Sequence, residues 1–152
     1  MQHLTDEPSG KSLEIRVPVR FGDTDPYGVV YFASYFRYCH HGIEEFLRHH
    51  GLRPETMFRN EDQGYGLPIV GAACDFLKPV RYGAILRLRV SIARVGEKSL
   101  TFAFHFYPEQ GEACLARGQA TLVAIDRSWR SRSLPEQLLA AAESQSQAHD
   151  ER

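Results

Sequence analysis

The stretch that decides the fold is Phe21-Gly22-Asp23-Thr24-Asp25-Pro26-Tyr27-Gly28-Val29-Val30-Tyr31-Phe32. Acids, a proline and glycines crowded into residues 22–28 are typical of a tight, specified turn. An apolar helical pattern begins directly after it, so a carboxylate is predicted to lie ahead of a helix start, where free N–H groups attract negative charge. A carboxylate beside such donors can support acyl transfer, with Asp25 as base or nucleophile.

A long helix is predicted to follow the turn, over residues 31–50. Apolar side chains recur there at spacings of three and four, with polar side chains between them, which indicates one wide buried face. They are Phe32, Tyr35, Phe36, Cys39, Ile43, Phe46 and Leu47. Gly51 fits the position just past a helix end, which favours glycine.

Alternation with a period of two predicts five strands. They cover residues 13–21, 67–77, 86–93, 100–107 and 113–125. Pro18 places the first strand near a sheet edge, and Gly118 is predicted to mark a bulge in the last. One strand, a long helix and four strands in hairpin succession predict the α+β class, with one face of an antiparallel sheet packed on the helix. The other face is solvated or meets another subunit.

Length and composition predict a single domain over residues 1–152, with 1–12 and about 134–152 as tails. The C-terminal tail is predicted as a marginal helix or a disordered segment. A net charge of −1 argues against nucleic-acid binding, and no apolar run is long enough for a membrane span. Three widely spaced cysteines without a Cys-x-x-Cys pair argue against a disulfide framework or zinc site and favour the cytoplasm.

Three segments carry a family resemblance. They are Phe21 with Asp23–Tyr35, then 75–83 (Asp-Phe-Leu-Lys-Pro-Val-Arg-Tyr-Gly), then 96–100 (Gly-Glu-Lys-Ser-Leu). In this order they resemble the hotdog-fold acyl-CoA thioesterases, and most closely the 4-hydroxybenzoyl-CoA thioesterase family. The resemblance implies a curved sheet of about five strands wrapped around one long helix. It also implies a homodimer with a continuous sheet, often paired into a homotetramer, that hydrolyses acyl-CoA without metal or other cofactor at sites on the subunit interface.

The resemblance also implies roles for individual residues. Asp25 corresponds to the catalytic carboxylate, either a nucleophile or a general base, and the alternative is an Asx turn or helix cap. The backbone N–H groups of Tyr31 and Phe32 are expected to form the oxyanion hole, and Gly28 a tight bend or room for the acyl chain. An aromatic residue at position 32 favours a small, benzoyl-type acyl group.

Two basic segments are candidates for binding the coenzyme A end of the substrate. Lys98 and Ser99, with Arg94 on the preceding strand, could meet its phosphates, and the alternative is a solvated hairpin tip. Residues 127–132 combine arginines with Trp129 and could hold a phosphate and stack an adenine, or form an ordinary surface cluster.

Two other functions fit the same pattern. One is hydrolysis of thioesters carried by acyl carrier protein, and the other is a non-catalytic acyl-CoA-binding subunit. Dehydration of a hydroxyacyl thioester on the same fold is disfavoured because the motif resembles the hydrolase branch. No His-Glu-x-x-His pattern is present, so no metal is expected.

Overall fold

The computed structural model describes Leu4, Pro8 and residues 11–147, with side chains as far as Gln145. The strands are β1 (Leu13–Pro18), β2 (Arg59–Asn60), β3 (Tyr65–Gly66), β4 (Ile69–Phe76), β5 (Ile85–Val95), β6 (Ser99–Pro108), β7 (Ala116–Val123) and β8 (Ile125–Asp126). The helices are α1 (Phe32–His49), α2 (Pro54–Met57) and α3 (Glu136–Gln147), and a 3₁₀ turn covers Phe21–Asp23.

Five strands form one antiparallel sheet in the order β1-β5-β6-β7-β4. The predicted α+β class, with a five-stranded antiparallel sheet and one long helix, is confirmed. The predicted hairpin succession of the last four strands is wrong at β4, which pairs with β7 rather than with the following strand β5. Its place beside β5 is taken by β1, so β1 and β4 form the two edges. The strands β2, β3 and β8 form a separate small sheet.

Helix α1 packs its apolar face against this sheet. A Cβ atom at Gly42 would lie 2.9 Å from a Val90 methyl carbon, so the helix approaches β5 more closely than a larger residue would permit. The helix ends in a left-handed Gly51, whose N–H donates to the Arg48 carbonyl. The predicted bounds differ by one residue at each end, because Tyr31 and His50 are caps. Within the described residues, no helix is long and apolar enough to span a bilayer.

Gly118 does not mark a bulge. It pairs in register with Cys74 on one side and Phe104 on the other, and the irregularity in this part of the sheet lies in β4, between Ile69 and Gly71. A Cβ atom at position 118 would lie 3.0 Å from the Ala73 carbonyl oxygen. Glycine at position 118 therefore allows β7 to lie close to β4, and it does not mark an extra residue in the strand.

The C-terminal segment, predicted as a tail that is either a marginal helix or disordered, contains a helix that packs on the core. Leu134, Leu138, Ala141 and Ala142 are buried in the core, and α3 lies against β5. The Gln145 side-chain amide donates to the carbonyl oxygens of Lys11 and Val90, at 3.1 and 3.0 Å. The spacing of the buried positions is helical, but small alanine side chains make the apolar stripe faint in the sequence. Residues 148–152, and most of 1–12, lie outside the described residues.

We expect Leu138→Ala to destabilise the protein by about 2–5 kcal/mol, because the Leu138 side chain is fully buried and its removal leaves a cavity. Urea unfolding followed by circular dichroism measures the change. The matched control is Gln137→Ala at the neighbouring exposed position, where the expected change is within about 0.5 kcal/mol. Equal stability of the two variants would mean that α3 is not part of the core.

Candidate active site

The turn around Asp25 holds its carboxylate in a defined place. The Asp25 N–H donates to the Val29 carbonyl and the Gly28 N–H donates to the Asp25 carbonyl, each at 2.9 Å. The Tyr27 N–H donates to Asp25 Oδ1 at 2.9 Å, which makes an Asx turn. Gly28 has a φ of 78°, a value that favours glycine. The Asx turn uses one carboxylate oxygen and Asp25 is half-exposed, so a turn role and a chemical role are compatible.

The neighbouring Asp23 anchors this turn from inside the protein. Its buried carboxylate accepts hydrogen bonds from the Arg20 N–H at 3.0 Å, the Tyr38 hydroxyl at 2.9 Å and the Arg37 guanidinium at 3.1 Å. Burial alone would raise the pKa of Asp23, but these bonds and the Arg37 charge outweigh it and hold the pKa below 3.8. Burial and the hydrogen bond to Asp23 raise the pKa of Tyr38. The turn is therefore fixed by an ionised carboxylate at neutral pH.

We expect Asp23→Asn to lower the free energy of unfolding by about 1–3 kcal/mol near neutral pH, because charge-assisted bonds are lost. The folded-state pKa of Asp23 is below its ordinary value of 3.8, so its contribution is present above pH 3.8 and disappears as the pH falls further. Urea unfolding at pH 7 and at pH 3 measures both quantities. A stability difference between wild type and variant that is larger at pH 3 would contradict this role.

Helix α1 begins immediately beyond the turn. Its cap, Tyr31, donates its N–H to the Asp23 carbonyl at 2.8 Å, and the same carbonyl accepts from the Ser34 hydroxyl at 2.9 Å. The Tyr31 N–H is thus already used, so of the two expected oxyanion donors, Tyr31 and Phe32, only the Phe32 N–H has no acceptor among the described residues, and the N–H of the next residue, Ala33, lies beside it. These are the first two residues of the helix, whose N–H groups have no acceptor within the helix itself.

A cavity of about 860 Å³ lies at the other end of the molecule, beside the start of β4. Aromatic rings and guanidinium groups share its lining, which includes His40, Phe58, Arg59, Tyr65, Arg127 and Trp129. The His40 ring stacks on Phe58, with centroids 5.0 Å apart. Asp25 does not line this cavity. It lies near the opposite end of β4, because its turn bonds to the segment that follows Phe76, through the Val30 N–H and the Val80 carbonyl.

Comparison with known proteins decides the family. Residues 19–142 match the thioesterase-like superfamily. The chain belongs to that superfamily. A 1,4-dihydroxy-2-naphthoyl-CoA hydrolase from Synechococcus sp. (strain WH7803) is 36% identical over 130 residues, which cover 82% of this chain and 84% of the relative.

Solved structures agree with this assignment. A 1,4-dihydroxy-2-naphthoyl-CoA thioesterase from Synechocystis has a TM-score of 0.80 and 25% identity, with 86% of this chain and 95% of that chain covered. A gentisyl-coenzyme A thioesterase has a TM-score of 0.73 and 25% identity, with 83% and 98% covered. The predicted hotdog fold and the predicted thioesterase enzyme are confirmed.

The thioesterase does not bring Arg94, Lys98 and Ser99 to Asp25 within one chain. They lie around the β5–β6 hairpin, and Ser99 starts β6 at the same end of the sheet as the cavity. Ten residues of β6, at about 3.3 Å each, separate the two ends by roughly 30 Å. Arg94 and Lys98 are exposed. A role for these residues at the same site as Asp25 therefore requires a second copy of the chain.

Burial disfavours the thiolate form of all three cysteines of the thioesterase. Burial raises the pKa of Cys74 to about 12 and that of Cys39 well above 9.0. Both thiols are therefore protonated at neutral pH. The part of the chain that the structure describes contains no group of three or more histidine, cysteine or acidic side chains able to hold a metal ion. Asp25 is the half-exposed ionisable group set directly ahead of the first turn of α1.

Sequence reasoning missed most of the cavity. His40 lies on the polar side of the predicted helix, and Phe58 and Tyr65 lie between the predicted helix and the strand that starts at residue 67. These residues come from separate elements that meet only in the folded chain. Only Trp129 gave a signal, as the aromatic residue inside a basic cluster.

Proposed function

We propose that this thioesterase hydrolyses the coenzyme A thioester of a hydroxylated aromatic acid, with Asp25 as nucleophile or general base. The observation that carries the proposal is the half-exposed Asp25 carboxylate, fixed in a turn directly ahead of the first N–H groups of α1. The substrate class is supported by the relatives, which are named for 1,4-dihydroxy-2-naphthoyl-CoA and gentisyl-CoA. An aromatic cavity large enough for such a ring also supports it.

The chemistry needs only a few groups. The thioester carbonyl oxygen would accept a hydrogen bond from the Phe32 N–H, which stabilises the oxyanion by about 3 kcal/mol in comparable sites. Asp25 either attacks the carbonyl carbon, giving an anhydride that water then hydrolyses, or takes a proton from a water that attacks. In both routes the C–S bond breaks and coenzyme A leaves as the thiolate, which takes a proton from protonated Asp25 in the general-base route or from water in the nucleophilic route, and the free acid is released. Open space beside Gly28 leaves room for the acyl group.

The complete site is proposed to form between two copies of the chain. Strand β4 is a sheet edge whose residues are mostly exposed, including Val70 at 61% and Phe76 at 47%. Such an edge is a template for pairing with another strand. A two-fold axis would pair β4 antiparallel with itself and set the Ile69 end of one strand beside the Phe76 end of the other. The cavity and Lys98 of one subunit would then approach Asp25 of the partner subunit.

The resulting homodimer has one further surface for association. The outer face of the sheet carries Arg87 and Arg89, each paired with Glu14 and Glu112. Joining of two dimers into a homotetramer would use this face. Native mass spectrometry measures both the dimer and the tetramer.

A thiol-release assay tests the proposed function. The panel contains gentisyl-CoA, 4-hydroxybenzoyl-CoA, 1,4-dihydroxy-2-naphthoyl-CoA, acetyl-CoA, palmitoyl-CoA and an acyl carrier protein thioester. We expect kcat/KM above about 10⁴ M⁻¹s⁻¹ for at least one aromatic acyl-CoA and at least about 100-fold less for the aliphatic ones. Turnover of the carrier-protein thioester alone would replace the proposal with the first alternative. Tight acyl-CoA binding without hydrolysis would replace it with a binding subunit.

A further inference from the structure

The backbone at Trp129 adopts a conformation that large residues avoid. Its φ is 62°, and Trp129 is the one non-glycine residue with positive φ in the described part of the chain. It closes a hairpin in which the Trp129 N–H donates to the Asp126 carbonyl at 3.0 Å and the Asp126 N–H donates to the Arg130 carbonyl at 2.8 Å. Glycine or asparagine ordinarily occupies this left-handed position.

The surrounding turn holds Trp129 in this conformation. Asp126 Oδ1 accepts hydrogen bonds from the N–H groups of Ser128 and Arg130, at 2.8 and 3.1 Å. The indole is 75% exposed, so burial does not explain why tryptophan stands here. The same residue lines the cavity. Residues that hold an unfavourable backbone conformation cluster at ligand sites, where function retains them.

The aromatic side chains of the cavity favour a flat ring as its occupant. Trp129, Tyr65 and Phe58 present aromatic surface to it. The guanidinium groups nearby have partners already. Arg59 pairs with Glu61 at 3.2 Å, Arg127 donates to the Glu61 carbonyl, and Arg132 lies over the Tyr65 ring at 5.3 Å. Each of these contacts uses only part of a guanidinium, which has five N–H donors, so the feature that sets this cavity apart is its aromatic surface, which a flat ring would cover.

We infer that Trp129 determines specificity by packing its indole against the aromatic acyl ring of the substrate. The inference rests on the proposed function and on the shared site described above. Trp129 does not touch the reacting carbonyl and is not a catalytic residue. It raises affinity for aromatic acyl groups at the expense of backbone strain in its hairpin.

The variant Trp129→Gly separates binding from folding. Glycine accepts the left-handed φ, so the unfolding midpoint of the variant is expected to equal or exceed that of the wild type. KM for an aromatic acyl-CoA should rise about 5- to 10-fold, which is the usual range for loss of a ring contact. KM for acetyl-CoA, which carries no ring, should rise less than KM for the aromatic substrate, and Trp129→Phe should retain most of the affinity. Lower stability of Trp129→Gly, with an equal loss of activity on both substrates, would overturn the inference.

Intrinsic fluorescence gives a second readout, because the chain has a single tryptophan. We expect 4-hydroxybenzoate to change Trp129 emission in the wild-type protein, and adenosine 3′,5′-bisphosphate to leave it unchanged. A response to the nucleotide alone would assign the cavity to adenine and overturn the inference. If neither probe changes Trp129 emission in a protein that hydrolyses aromatic thioesters, the inference about Trp129 is also overturned, and the proposed function stands. A response to 4-hydroxybenzoate without any hydrolysis would support Trp129 as the ring site and remove the proposed function.

Discussion

Replacing Asp25 with asparagine is expected to lower kcat for thioester hydrolysis by at least about 10³-fold, the loss typical of a removed general base or nucleophile. Asparagine has the same shape, and its side-chain oxygen can still accept the Tyr27 N–H that closes the Asx turn. Its amide cannot take a proton from water and is a poor nucleophile. The fold should therefore persist while the chemistry is lost.

The control for this variant is Glu143→Gln, which removes one negative charge from an exposed position of α3. Circular dichroism and the urea midpoint should be the same for wild type, Asp25→Asn and Glu143→Gln. Thiol release at saturating substrate then reports kcat alone. If Asp25→Asn retains more than about a tenth of the wild-type kcat, Asp25 has only the role of a turn residue. The general base would then have to be another group near the start of α1.

Two inactive variants are expected to restore activity when they are combined in one dimer. Asp25→Asn removes the carboxylate, and His40→Trp places a larger ring beside Phe58 in the lining of the cavity, where it is expected to obstruct the acyl group. If each site uses Asp25 of one chain and the cavity of the other, a mixed dimer contains one intact site. Random pairing of equal amounts should then give about a quarter of the wild-type activity, because half of the dimers are mixed and half of their sites are intact.

Complementation is controlled by measuring each variant alone and by verifying that mixed dimers form. Each variant alone should show residual activity only, and native mass spectrometry of the co-expressed proteins should show the mixed dimer. A double variant carrying Asp25→Asn and His40→Trp on one chain, paired with wild type, reports the activity of dimers with one wild-type subunit. Mixed dimers without restored activity would place the carboxylate and its acyl pocket in the same chain.

Local patterns predicted the elements that local contacts stabilise. The spacing of apolar residues and the left-handed Gly51 placed α1 to within one residue at each end. The alternation of Leu100, Phe102, Phe104 and Phe106 placed β6, and all four side chains are buried. The turn at Asp25 was predictable because its acids, proline and glycines are needed within a few residues of one another.

Features that depend on distant contacts were not predictable in the same way. The residues of β4 alone do not indicate that its partner is β7, because strand pairing depends on how the whole sheet closes around α1. The packing of α3 on the core was missed, and the segment was predicted only as a marginal helix or a disordered segment, because Ala141 and Ala142 bury little surface individually, although Leu138 is fully buried with them. The cavity unites residues from α1, the connection before β4 and the β8 hairpin, so no single window contains it.

The hydrogen bonds of the Gln145 side-chain amide have a consequence for the order that the helices and strands could take along the sequence. By donating to the carbonyl oxygens of Lys11 and Val90, it holds residues 11 and 145 close together beside β5. A short linker could therefore join these positions, and new ends could be opened at the exposed turn around Gly111. Such a circular permutant would keep the strand order of the sheet and would disturb only the turn whose Gly111 carbonyl accepts from Arg87. In the permutant α3 precedes α1 along the sequence, so comparing its refolding rate with that of the wild type would show how strongly folding depends on the connection between these helices and the sheet.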